Sequence, residues 1–201
     1  MKKKHLYRGF LRKYQNVYLY ITILVSFGII VGILCSNYIE VSDIQSLSSI
    51  LTTLDTSVSK YDYFISHFFQ GILFILFVFL LGTSMIGIPI ISFIVFSKGL
   101  QVGFSCALFV CTYHLKGVIG IIMTLLPQVI FDLFTTYLIS ASAIQISLYL
   151  LYTTISKEKL DMKKLLNSVL NDIMICFILL LIGSYLQSTL VIEFIKIFNL
   201  I

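Results

Sequence analysis

Asp132 is the one carboxylate between Phe68 and Tyr152, a stretch in which the other acidic, lysine or histidine side chains are Lys98, His114 and Lys116. An ionised carboxylate in surroundings that apolar costs several kcal/mol unless it is paired or protonated. Gln128 lies one helical turn before it, and Thr135 and Thr136 lie one turn after, so all three are placed to hydrogen-bond a protonated acid. Three roles fit: a structural polar contact, a contact with a partner, or a station on a proton or ion pathway.

Other chemistry is thinly represented. His5, His67 and His114 are scattered, no H-E-x-x-H occurs, and no cluster has metal-ligand spacing. Cys106 and Cys111 are five apart, on different faces of a helix, and there is no C-x-x-C. Cys35, Cys106, Cys111 and Cys176 read as small apolar fillers. Neither a G-x-S-x-G nor a phosphate-binding loop is present, and Asp132 has no second intramembrane carboxylate with which to share acid–base work. No cofactor, no metal and no catalytic residues are expected.

The elements that must position these residues belong in lipid. The chain has 201 residues, 59% of them hydrophobic and 11% charged, against roughly 25% charged in an ordinary globular domain. A span needs about 20 apolar residues, and candidates fall at about 18–36, 68–96, 99–114, 117–152 and 172–198. The fold class is therefore all-α, a polytopic integral membrane bundle of about five transmembrane helices with kinked or broken spans. It is read as a single membrane domain over 1–201, with a basic cytoplasmic interfacial segment at 1–16, an external loop at 36–67 and a lysine-rich cytoplasmic loop at 153–171.

Orientation follows from lysine and arginine. Lys2, Lys3, Lys4, Arg8, Arg12 and Lys13, Lys98 taken as a cytoplasmic turn, and Lys157, Lys159, Lys163 and Lys164 all fall on one side when the N-terminus is cytoplasmic. Only Lys60, Lys116 and Lys196 fall outside, which satisfies the positive-inside rule and puts the C-terminus outside. The basic N-terminal cluster marks a flank drawn to anionic membrane lipids; no basic groove with stacking aromatics suggests nucleic acid. The apolar run Val17–Leu34 reads as a retained signal anchor, because Gly32-Ile33-Leu34-Cys35 lacks the small residue that should precede a cut.

Two amphipathic stretches accompany the spans. Leu6, Phe10, Tyr14 and Val17 form a stripe among basic residues, as an interfacial helix entering the first span would. In the external loop, Ile44, Leu47, Leu51, Leu54 and Val58 share a helical face, which either lies on the membrane or bundle surface or docks an extracytoplasmic partner. Gly28 and Gly32, Gly99 and Gly103, and the small run Ser140–Ala143 permit close helix approach. Packing within the chain and a homodimer seam are both open.

The stretches Gly82-Thr83-Ser84-Met85-Ile86-Gly87-Ile88-Pro89, Lys98-Gly99-Leu100-Gln101-Val102-Gly103-Phe104 and Leu126-Pro127-Gln128 make a more specific set. At these residues the chain resembles the stage II sporulation protein M family of endospore-forming bacteria, which shows a G-x-S-x-I-G-x-P motif, a K-G-x-x-x-G-F turn and an L-P-Q motif. Val129 and Phe131-Asp132-Leu133 depart from the family pattern, so Asp132 inherits no role from it.

The resemblance implies a non-enzymatic membrane scaffold of engulfment. It would anchor two septal cell-wall hydrolases, sporulation proteins D and P, a lytic transglycosylase and an amidase/endopeptidase. Pro89 would then break the second span and Pro127 the fourth, with Ser84, Thr124 and Gln128 near the freed carbonyls. The alternative is a small transporter or permease that uses broken helices and Asp132 at a midplane site.

Overall fold

A chain in lipid has no water to satisfy its amides, so an apolar run closes its hydrogen bonds on itself by coiling. The computed structural model describes residues 2–38, 60–84, 86–122, 126–156 and 162–198, with the backbone alone described at 2–15, 112–117, 119–120, 127–128, 155–156, 162–166, 168 and 190–198. These residues form five helices: α1 Lys2–Ser36, α2 Lys60–Gly82, α3 Gly87–Gly120, α4 Leu126–Ser156 and α5 Met162–Phe198. Each contains a stretch long and apolar enough to cross a membrane, namely Asn16–Ser36, Lys60–Gly82, Gly87–Cys111, Val129–Thr154 and Val169–Thr189. Among the described residues there is no strand. The protein is a polytopic helical membrane bundle. Ile23, Phe69, Phe93 and Met174 are among the large apolar side chains exposed on its outside, where lipid tails rather than water would meet them.

Contacts fix the directions of the helices. Gly28 of α1 lies against Phe96 and Gly32 against Leu100, so α1 and α3 run parallel. His67 contacts Ser184, and Tyr63 contacts Gln187, so α2 and α5 run antiparallel. Gly82 lies on Ala143 and His67 near Asp132, which makes α2 and α4 parallel. The helices thus alternate in direction along the chain. Below, the N-terminal face is the end where α1 enters at Asn16, and the far face is the end where it leaves at Ser36.

α4 is the hub, in contact with each of the other four helices. Its small residues explain this: Ser140, Ala141, Ser142 and Ala143 are all buried, and a helix with thin sides can be approached by several neighbours. Ile21, Val78, Ile91, Val95 and Cys176 of the other helices join its Ile139 in one core cluster.

The tightest seam joins α1 to α3. A Cβ at Gly28 or Gly32 would strike the carbonyl oxygens of Phe96 or Leu100, and one at Gly99 or Gly103 would strike those of Val25 or Ile29. The two G-x-x-x-G pairs therefore face each other within the chain, and these four glycines are packing residues rather than a homodimer seam.

Several boundaries differ from the sequence reading. Lys98 is not a cytoplasmic turn but a residue in the interior of α3, eleven positions after Gly87. The turn between the second and third helices lies at 83–86, which carries no charge to mark it. Pro89 does not break a span; it sits in the first turn of α3, where its missing N–H costs nothing. Pro127 likewise is the second residue of α4 rather than a kink, and 117–152 is divided, with α3 ending at Gly120 and α4 starting at Leu126. α2 begins at Lys60, inside the predicted 36–67 loop, and the 153–171 loop shrinks to 157–161 because α4 and α5 both run past their apolar stretches. The segment 1–16 continues into the first span as one helix, whose α1 counts 35 residues. The stripe Ile44, Leu47, Leu51, Leu54 and Val58 lies outside the described residues, as does Thr124.

Substituting Gly99→Leu or Gly32→Leu forces backbone apart and is expected to destabilise the bundle by about 1–3 kcal/mol or more. Gly71→Ala should cost less, because its Cβ meets only the movable tip of the Leu180 side chain. Denaturant unfolding in mixed micelles, followed by circular dichroism, measures the difference; equal effects at Gly71 and Gly99 would refute the seam.

Candidate functional site

The residues that carry the G-x-S-x-I-G-x-P pattern build the α2–α3 turn and pin it to α4. Thr83 N donates to Leu80 O and Ser84 N to Leu81 O, which closes the end of α2. Gly87 N returns to Ser84 O at 3.1 Å, and Ile86 N donates to Ser84 Oγ at 3.3 Å, so Ser84 bends the chain with both its backbone and its hydroxyl. Only glycine fits at 87, where a Cβ would overlap the Leu81 carbonyl. Ser147 Oγ of α4 then donates to Ser84 O at 2.8 Å, while Gly82 rests on Ala143. The bends a proline-broken span would need are supplied instead by this turn.

Near the far face, α2, α4 and α5 share a polar cluster. His67 Nε2 lies 3.8 Å from Asp132 Oδ2, and His67 Nδ1 lies 3.1 Å from Ser184 Oγ. One turn further on, Gln187 Nε2 donates to Tyr63 OH at 3.3 Å. Gly183 lies beside this pair, where a Cβ would press on the Phe131 side chain at 3.2 Å. The structure thus places Asp132 against His67 of another helix. Thr135, which the sequence offered as its neighbour, donates instead to Phe131 O of its own helix at 2.9 Å.

Aspartate, histidine and serine in line invite comparison with a nucleophilic relay. The arrangement lacks two requirements of one. Ser184 is fully buried, and as a mid-helix residue its neighbouring amides are spent on the helix and leave no oxyanion donors. What the three residues do is join α2, α4 and α5 by polar contacts. Among the described residues no three metal-ligating side chains come together.

A second carboxylate also lies within a span. Asp172 of α5 accepts from Ser142 Oγ at 2.6 Å, towards the N-terminal face. It sits eleven residues from Gly183, about 16 Å along the helix, too far to share a proton with Asp132. The sequence reading missed it because it stands at the edge of the apolar run.

Lys98 is the third polar feature. Its Nζ stands 5.2 Å from the centroid of the Phe74 ring on α2, and no carboxylate lies within ion-pair reach among the described residues. Next to it, Gly99 and Gly103 belong to the α1 seam, so the K-G-x-x-x-G-F stretch is helix and not turn. Leu126-Pro127-Gln128 opens α4, with the Pro127 and Gln128 side chains outside the described set.

These features define a multi-span helical membrane protein whose motif residues form a turn and a helix seam. The chain belongs to the stage II sporulation protein M family, whose family model matches residues 21–191. That makes it a sporulation-related membrane protein, in a family not known as one of enzymes. No curated protein and no solved structure matches it.

If His67 and Asp132 act as a pair, a double-mutant cycle with His67→Ala and Asp132→Ala should show coupling of about 0.5–2 kcal/mol in unfolding free energy. Additive losses would mean that the two side chains are neighbours without interaction.

Proposed function

We propose that this chain is a non-enzymatic membrane scaffold of endospore formation that anchors and localises two cell-wall hydrolases, sporulation proteins D and P, at the septum during engulfment. The observation that carries the reading is the family match over 21–191, which covers four of the five membrane-crossing stretches whole and the first from Ile21 onward. The architecture supports it, since nearly all the described mass is membrane helix and its motif residues build packing. On this reading the N-terminus is cytoplasmic, the C-terminus is outside and the chain lies in the mother-cell membrane.

Deleting the gene is expected to arrest sporulation at engulfment, with both hydrolases still made but dispersed from the septum under fluorescence microscopy. Normal septal localisation of both in the deletion strain would end the scaffold reading. The external stripe supplies the second test: Leu47→Asp together with Leu51→Asp should reduce hydrolase recovery with the tagged protein by severalfold. Unchanged recovery would return those residues to the membrane surface.

A further inference from the structure

The polar side chains within the spans divide into those with partners and those without. Asp132 has His67, Asp172 has Ser142, and Ser147 has the Ser84 carbonyl. Three others stand together near the middle of the membrane with no hydrogen bond or ion pair among the described residues: Gln70 of α2, and Lys98 and Gln101 of α3. Gln70 and Gln101 are exposed, and Lys98 is half-buried against Phe74.

Helical geometry gathers them into one patch. Gln70 precedes Phe74 by four residues and shares its face of α2; Gln101 follows Lys98 by three and shares its face of α3. The two helices are antiparallel through the 83–86 turn, so both glutamines lie one turn beyond the Lys98–Phe74 contact, in the same direction. α2 and α3 share only a small interface, and Gln70 and Gln101 are exposed beside it.

We propose that Gln70, Lys98 and Gln101 form an intramembrane docking surface for the transmembrane helix of a partner protein that carries a carboxylate near its midpoint. Charge and depth select that occupant. Lys98 is eleven residues, about 16 Å, from the start of α3 at Gly87, and α3 continues for a further twenty-two residues to Gly120. A lysine side chain reaches on the order of 6 Å, so its ammonium does not snorkel to a lipid headgroup. A second copy of this chain does not fit either: Asp132 lies against His67, seven residues and about 10 Å before Phe74 on α2, and Asp172 lies against Ser142, beside the Ala143 that meets Gly82, eight residues and about 12 Å past Phe74, so each is engaged within the chain and away from Lys98's depth. An amide pair beside the cation adds donors and acceptors that lipid tails cannot satisfy. This inference deepens the scaffold reading by naming a surface through which a membrane-anchored protein is held.

The test uses the full chain reconstituted in phosphatidylcholine vesicles, with labelled single-span leucine–alanine peptides as probes and energy transfer as the readout. A peptide with one Glu at its midpoint is expected to associate about three- to tenfold more tightly than its all-apolar counterpart. Lys98→Met should abolish that preference, Lys98→Arg should keep it, and Gln101→Leu should reduce it. Moving the Glu two turns towards either end of the peptide should also abolish it.

Equal association of the Glu and apolar peptides would overturn the proposal, as would a preference that survives Lys98→Met. Energy transfer between two labelled copies of the protein that disappears on Lys98→Met would assign the surface to self-association and overturn it too. Should Lys98→Met fail to fold, the Arg and Gln101 variants and the shifted peptide still decide the matter. The probe is independent of any sporulation partner, so a negative result here leaves the localisation test of the scaffold standing, and dispersal-free localisation there leaves this surface standing.

Discussion

Inside a bilayer a helix backbone can approach another only as closely as its thinnest side chains allow, and the α1–α3 glycine seam sets the frame of this bundle. Gly28 and Gly32 bring α1 against the carbonyls of Phe96 and Leu100, and Gly99 and Gly103 bring α3 against those of Val25 and Ile29. With no hydrophobic force between helices in lipid, such close packing is the main attraction available. α3 is thereby fixed in position and rotation. The α2–α3 turn, tied to α4 by Ser147 and Gly82, fixes α2 to the same frame.

How far the sequence disclosed this depends on the kind of signal. Apolar length announces helices in lipid directly, and five emerged where five were expected. Their ends were misplaced wherever a charge was taken as a boundary. Lys98 looked like a turn because a lysine in an apolar tract usually leaves the membrane, whereas the real turn is made by glycine, threonine and serine, which lipid-embedded sequence uses freely. The glycine pairs were visible, but which helix each pair faced was not. Similarly, nothing in local spacing links Asp132 to His67, 65 positions earlier; only the register between α2 and α4 does.

The polar groups follow one rule with two outcomes. A polar side chain in hydrocarbon must find a partner or sit where one arrives. Asp132 and Asp172 found theirs on neighbouring helices; Asp172 ties α5 to α4 directly, and the His67 that meets Asp132 also reaches Ser184 of α5. The residues that carry the family resemblance belong to this structural class for the most part: Gly82, Ser84, Gly87, Gly99 and Gly103 shape turns and seams, and none of them meets the far-face cluster. Such contacts hold the helices, and with them the outer surfaces of the bundle, in fixed register.

Lys98 shows how such a surface can be enforced. Successive residues on a helix lie about 100° apart, so with Gly99 pressed on Val25 the preceding side chain is directed away from the seam and onto the flank of α2. Bringing Lys98 inside would require rotating α3, which would drive the side chains beside Gly99 and Gly103 into the α1 carbonyls. The Phe74 ring gives the cation a favourable but incomplete resting place, because a ring face offers less than a carboxylate does. The same glycines that make the bundle tight therefore keep its mid-membrane lysine on the outside of that tight part, where a second charge can reach it.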